Sequence, residues 1–100
     1  MVSWSFLTNH AMVLTHICRH PESTGLEIAQ AVGITERATR KIVAELQATG
    51  YIEREKIGRR NRYRVDVHRP VGRIGERELT VGKFLEILEG RDERQATQVK

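Results

Sequence analysis

The sequence has little of what stabilises small secreted domains. Cys18 is its only cysteine, so no disulfide can form within the chain, and a single thiol fits a reducing compartment. Aromatic side chains are also scarce, since one Trp, two Tyr and two Phe leave most of the core to aliphatic residues. We therefore expect a small aliphatic core without covalent cross-links.

Long apolar runs and catalytic signatures are missing as well. No stretch approaches the roughly 18 residues of a membrane-spanning helix. The start, MVSWSFLTNH, has neither the charged residues nor the apolar stretch of a signal peptide. No phosphate-binding loop occurs, and no spacing would assemble a nucleophile, a base and an orienting group. These absences predict a cytoplasmic protein that is not an enzyme, needs no cofactor and binds no membrane.

Positive charge is concentrated in one part of the chain. The net charge is +4, with 17 basic and 13 acidic side chains. Residues 1–50 are balanced and residues 74–100 are slightly acidic, whereas residues 51–73 hold eight basic and three acidic side chains. This basic stretch is centred on GRRNRY, residues 58–63. Such clustering indicates an acidic partner without naming it.

Apolar spacing predicts three helices in the first half, over residues 8–20, 23–32 and 35–49. Thr24 and Glu27 have the spacing of a capping box at the start of the second helix, and Gly33 is placed to end it. Thr35 is the natural N-cap of the third. The buried face of the second helix should consist of Leu26, Ile28, Ala29 and Val32.

The period changes after Gly50. Residues 51–57 and 63–67 look like two strands, and residues 58–61 look like the turn of a hairpin. Residues 68–78 contain one proline and two glycines and read as a linker. Residues 79–90 return to helical spacing, and the polar residues 91–100 are expected to form a flexible tail.

This order of elements suggests how the chain meets its partner. Only a few residues separate the second and third helices, and such a tight turn sets two helices at a steep angle, as in a helix-turn-helix. The exposed first half of the third helix is rich in arginine and lysine, and a helix fits the major groove of B-DNA. The basic hairpin would project beside it.

A family resemblance supports this interpretation. The stretch IAQAVGITERATRKIVAELQATGYIERE resembles the winged helix-turn-helix of MarR-type regulators of bacteria and archaea. Thr39 stands where that family usually has valine or another aliphatic residue. Because threonine has nearly the same shape, we expect only slightly poorer packing of the core. Together with WSFLTNHAMVL and GRRNRYRV, the stretch is similar to short MarR-like regulators of actinobacteria. The matching frame consists of Ile28, Ala29, Val32, Gly33, Ile34, Ile42, Leu46, Gly50, Tyr51 and Ile52.

The resemblance and the element order together predict the fold class. It is mainly α with a small β-hairpin (α+β): a winged helix-turn-helix domain over residues 1–67, followed by the linker and a C-terminal helix. The family resemblance implies double-stranded DNA as the partner and transcriptional regulation as the role. The recognition helix, residues 35–49, would enter the major groove, and the wing, residues 58–62, would meet the flanking backbone or minor groove.

Candidate DNA contacts follow on both elements. On the recognition helix, Arg37 and Arg40 are suited to base edges, ideally bidentate to guanine, and Lys41 to phosphate. Glu36 can accept from cytosine or repel DNA and so tune specificity, and Thr35 lies where the helix start meets the groove. On the wing, arginine can enter a narrow minor groove or clamp a phosphate. The wing candidates are Arg59, Arg60, Asn61 and Arg62.

The wing asparagine has two interpretations. Asn61 either bonds the sugar-phosphate backbone or allows the unusual backbone angles of the turn.

An alternative function for the chain is that of a winged-helix protein-interaction module whose basic wing is only solvated.

A sensor of ligands or metals is a further alternative. His16 and His20, four residues apart on the first helix, could share a metal. Cys18 falls on the apolar face, away from both histidines, so we interpret the group as a buried cysteine and two surface histidines. No metal site is predicted.

The apolar C-terminal helix either folds back on its own domain or pairs with a second protomer. We expect a homodimer, because two-fold symmetry matches palindromic operators. The residues predicted to form its interface are Val81, Phe84, Leu85 and Leu88.

Overall fold

The computed structural model describes residues 5–89. Within them it has four helices and two antiparallel hairpins, in two compact units that divide between Val65 and Asp66. The predicted tail, residues 91–100, lies outside the described residues. The elements are α1 (Asn9–Arg19), α2 (Gly25–Val32), α3 (Glu36–Ala48), β1 (Ile52–Ile57), β2 (Arg60–Val65), β3 (Pro70–Ile74), β4 (Arg77–Thr80) and α4 (Val81–Glu89). The α+β winged-helix class predicted from the sequence is confirmed.

Local capping explains where α2 and α3 begin. The Thr24 side chain accepts from the Glu27 amide at 3.1 Å, and the Glu27 carboxylate accepts from the Thr24 amide at 2.8 Å. This is the predicted capping box, and it is confirmed. Thr35 caps α3 by accepting from the amide of Ala38 at 3.0 Å. Between the two helices Gly33 ends α2 in the left-handed conformation, with φ of 89°.

The core of the first unit is aliphatic and lies between α1, α2, α3 and β1. Leu26, predicted to be buried, is 51% exposed. It precedes the buried Ile28 by two residues, and that spacing turns a helical side chain through about 200°. The core residues are Val13, Leu14, Ile17, Ile28, Ala29, Ile42, Val43, Leu46 and Ile52.

Thr39 is a polar residue in this core. Its side chain is fully buried, and its hydroxyl donates to the carbonyl of Thr35 at 3.0 Å. The substitution of a threonine for an aliphatic residue therefore leaves no hydroxyl unsatisfied.

The first hairpin is tighter than its sequence suggests. Ile57 pairs with Arg60, so the turn consists of Gly58 and Arg59 alone. The turn predicted over residues 58–61 is therefore too long, because Arg60 and Asn61 already belong to β2. Gly58 has φ of 63°, and a positive φ at the first position permits the two-residue turns that suit twisted strands. Asn61 consequently has no role in shaping the turn.

A backbone contact fixes the base of this hairpin to the helices. The amide of Tyr63 in β2 donates to the carbonyl of Pro21, in the turn between α1 and α2, at 2.9 Å. The outer edge of β2 is thereby tied to the helical part of the same unit.

The second unit corrects the predicted linker. Residues 68–78 contain β3 and the start of β4, which pair around a turn at Gly75, where φ is 62°. Three features made these strands hard to predict from the sequence. Pro70 begins β3, and a bulge separates Pro70 from Gly72. Both strands are also mostly exposed, so their sequences show no apolar alternation. Residues 79 and 80 accordingly belong to β4, and α4 begins at Val81.

Candidate nucleic-acid interface

One face of α3 is basic and exposed while the opposite face is buried. Arg37, Arg40 and Lys41 stand at i, i+3 and i+4, so they share one side of the helix. All three side chains are exposed, whereas Thr39 and Ile42 lie in the core. The capped end of α3 therefore presents a helical row of cations to solvent.

The cations of α3 differ in their neighbours. Arg40 lies 3.9 Å from the Glu36 carboxylate, an exposed pair of the kind that contributes little to stability. Arg37 and Lys41 have no ion-pair partner within residues 5–89. Thr35, the fifth candidate on this helix, uses its hydroxyl oxygen for capping.

The wing candidates divide in the same way. Arg59 is at the turn and Arg62 is in β2, and neither has an ion-pair partner in the described part of the chain. Arg60 is paired with Glu22 of the α1–α2 turn, Nη1 to Oε1, at 3.7 Å. Asn61 stands in β2 opposite Lys56. The structure thus brings the four residues to the outer end of the hairpin, with only Arg59 in the turn itself.

Arg64, further along β2, is held by its own hairpin. Its guanidinium donates to Glu53, directly opposite on β1, and lies 3.5 Å from Glu55. The hydrogen bond to Glu53 and the charges of both carboxylates raise the pKa of Arg64 above its usual value. This arginine is already balanced by carboxylates.

Sequence reasoning missed two kinds of residue. Glu22 was not linked to the wing, because no local signal connects residues that are so far apart along the chain. Arg54 and Lys56 on β1 were overlooked, although the alternation in IEREKI places them on one face with Ile52.

The histidine cluster on α1 forms hydrogen bonds of its own. The Ser23 hydroxyl donates to the His20 carbonyl at 2.9 Å, so its oxygen accepts from Nε2 of His16 at 3.0 Å. Burial, followed by the nearby His20, lowers the pKa of His16. Cys18 is half-buried. Within residues 5–89, no group of three or more His, Cys, Asp or Glu side chains could hold a metal ion.

An open cleft of about 560 Å³ lies beside this cluster. Charged groups of both signs line it, together with Pro21 and Ser23. Its charged residues and histidines are His16, Arg19, His20, Glu22, Glu27 and Arg60.

The four residues predicted for dimerisation have unequal exposure. Val81 and Leu85 are buried in the single chain, and Phe84 is half-buried. Leu88 is 39% exposed, and its neighbour Ile87, which was not among the four, is 61% exposed. The exposed apolar side chains of α4 therefore lie at its end rather than at its start.

Comparison with known proteins identifies the family. A family model described as MarR family matches residues 5–62, which include α1, α2, α3, β1 and the first residues of β2. All nine residues predicted to face DNA lie inside this match, and α4 lies outside it. A search of curated proteins gives no match. None of the helices within residues 5–89 is long and apolar enough to cross a membrane. The chain belongs to the MarR family, whose members are DNA-binding transcriptional regulators and not enzymes.

Proposed function

We propose that this protein is a cytoplasmic transcriptional regulator that binds double-stranded DNA in a sequence-specific way. The recognition helix α3 enters the major groove, and the wing lies on the flanking backbone or in the minor groove. The observation that carries this proposal is the exposed row of Arg37, Arg40 and Lys41 on a helix whose other face is core.

The chemistry of this row suits the reading of bases. Arg37 and Arg40 carry planar guanidinium groups, and each of these groups can donate two hydrogen bonds to the O6 and N7 atoms of one guanine. Lys41 is a point charge and suits a phosphate. Glu36 holds Arg40 only weakly at 3.9 Å, so DNA can take over that arginine.

The wing supplies electrostatic affinity. Arg59 at the turn and Arg62 in β2 have no carboxylate partner in the described residues, so their charges are available to phosphates. Arg60 becomes available when it leaves Glu22.

We further propose a homodimer that binds a two-fold symmetric site. The exposed Ile87 and Leu88 near the end of α4 support an interface there, since apolar side chains on a regular helix are suited to a partner chain.

Selection from a pool of random duplexes tests sequence specificity. The wild type should enrich one motif, and a palindromic motif is expected from a dimer. An Arg37→Ala or Arg40→Ala variant should lose preference at one position of each half-site, equivalent to about 1–3 kcal/mol per base contact. Failure of the wild type to enrich any motif would exclude sequence-specific binding.

Fluorescence anisotropy at several salt concentrations tests the wing. If each protomer neutralises about four phosphates, log K of a dimer should fall with log salt with a slope near −7. The double variant Arg59→Ala/Arg60→Ala should flatten this slope by about one unit for each phosphate that is no longer neutralised. An unchanged slope would remove the wing from the interface, and the absence of binding even at low salt would favour the protein-interaction module.

A further inference from the structure

The first hairpin, residues 52–65, has two faces with different charge balance. Residues directly opposite each other in the register share a face, and alternate residues of a strand point to opposite sides. The inner face consists of Ile52, Arg54, Lys56, Asn61, Tyr63 and Val65. The outer face consists of Glu53, Glu55, Ile57, Arg60, Arg62 and Arg64.

Carboxylates offset the cations of the outer face. Arg64 is held by Glu53 and Glu55 of the same face. Arg60 is held by Glu22 from the α1–α2 turn. With Glu22 counted, three carboxylates stand against three arginines, so the net charge on this side of the hairpin is close to zero, although Arg62 forms no ion pair within residues 5–89.

The inner face has cations but no carboxylate. Arg54 and Lys56 are exposed, and neither has an ion-pair partner within residues 5–89. At the base of the same face Ile52 is buried and Tyr63 is half-buried. The two cations thus stand where the inner face leaves the core and continues towards the turn.

The placement of Asn61 adds a neutral donor to this face. Asn61 is directly opposite Lys56, and such cross-strand neighbours have Cβ atoms about 5 Å apart. A lysine ammonium and an asparagine amide both donate hydrogen bonds. Side by side they can hold two oxygens of one phosphate.

We propose that the inner face of the hairpin binds the phosphate backbone of duplex DNA, with Arg54 and Lys56 as its charged contacts and Asn61 as a neutral donor. This inference rests on the proposed function and extends its interface to two residues outside the wing. The physical reason is that an uncompensated cation neutralises a phosphate directly, whereas Arg64 would first have to leave two carboxylates. Arg64 therefore links the two strands of the hairpin and contributes little to DNA affinity.

The salt dependence of binding to a non-specific duplex separates these roles. Arg54→Gln/Lys56→Gln should flatten the slope of log K against log salt by about two units per protomer. Between 50 and 200 mM salt, the affinity of this variant should fall about tenfold less per protomer than that of the wild type. Arg64→Gln should leave the slope unchanged.

Two further variants serve as controls. Arg73→Gln/Arg77→Gln changes the net charge equally on the exposed strands of the second hairpin and should retain the wild-type slope. Arg54→Lys/Lys56→Arg keeps both charges and should also retain it. Thermal melting followed by circular dichroism verifies that each variant is folded.

The outcomes distinguish this inference from the proposed function. If Arg54→Gln/Lys56→Gln kept the slope of the second-hairpin control while the Arg59/Arg60 variant had a flatter slope, the inner face would be excluded and DNA binding would stand. A wild type without binding at 50 mM salt would exclude DNA binding itself, and the inner face with it.

Discussion

Arg60 on β2 and Glu22 in the α1–α2 turn form an ion pair, Nη1 to Oε1, at 3.7 Å. Three residues further along β2, the amide of Tyr63 donates to the carbonyl of Pro21 at 2.9 Å. The hairpin is thus attached to the helices by a neutral backbone bond and by a charged pair next to it. Both charged side chains are largely exposed, so the pair contributes little to stability, but it balances a cation that the proposed interface uses.

Removing this carboxylate should tighten DNA binding. Glu22→Gln frees Arg60 and deletes a negative charge close to the wing, so Arg60 can bind a phosphate without first leaving a carboxylate. We expect higher affinity, most of all at low salt, with a slope of log K against log salt close to that of the wild type, because the number of neutralised phosphates stays the same. Fluorescence anisotropy with labelled duplex at several salt concentrations measures both.

A charge-matched variant controls for net charge. Glu78→Gln makes the same change at an exposed position of β4, a strand that the proposed interface does not use. It should change affinity much less than Glu22→Gln. Equal effects of the two variants would mean that net charge, and not Arg60, governs the gain.

Helix boundaries were predictable because their signals are local. Thr24, Glu27 and Gly33 specify the ends of α2 within ten residues of sequence, and the structure has each where the pattern predicts it. Leu26 was not predictable from apolarity alone, since only the rotation of the helix decides which apolar side chains reach the core.

The second hairpin and the ion pairs were not predictable, for two physical reasons. Strands that are exposed on both sides carry no apolar alternation, so Pro70, Gly72 and Gly75 looked like a linker. Ion pairs such as Glu22–Arg60 join residues far apart in sequence, and only the packed fold brings them together. For this reason the sequence located the basic stretch but could not say which of its arginines are balanced.

The substitution Thr35→Asp should leave the stability of the fold nearly unchanged but weaken DNA binding. Aspartate is an equally good N-cap, and its charge is favourable at a helix start, so the free energy of unfolding should change by less than about 1 kcal/mol. The same carboxylate would face phosphates if the start of α3 enters the groove. We expect Thr35→Asp to weaken DNA binding at least about tenfold, or about 1.4 kcal/mol.

The matched variant is Thr8→Asp, which changes the N-cap of α1 in the same way. Urea denaturation and anisotropy on both proteins give stability and affinity side by side. Similar DNA affinities for the two variants would remove the start of α3 from the interface.

Replacement of Gly25 or Gly58 by alanine should change the free energy of unfolding in opposite directions. A Cβ at Gly25 or Gly58 would meet no atom within 4 Å, so only the backbone distinguishes them. Gly58 has φ of 63°, where an L-residue is strained, and Gly58→Ala should cost about 1–2 kcal/mol. Gly25 is the first residue of α2, and Gly25→Ala should stabilise by up to about 1 kcal/mol. Urea denaturation measures both, and a neutral Gly58→Ala would show that the turn relaxes to another geometry.

Stability should fall with acidification because of His16. Burial lowers the pKa of His16 below its ordinary 6.5, so below pH 6.5 the unfolded chain takes up a proton that the folded chain resists. The contribution of the neutral imidazole is therefore complete above pH 6.5 and is lost as the pH falls towards the folded pKa. His16→Gln removes the titration and keeps a donor for Ser23. Its Tm should vary less than that of the wild type between pH 7.5 and 5.5. An unaltered profile in His16→Gln would show that another group is responsible.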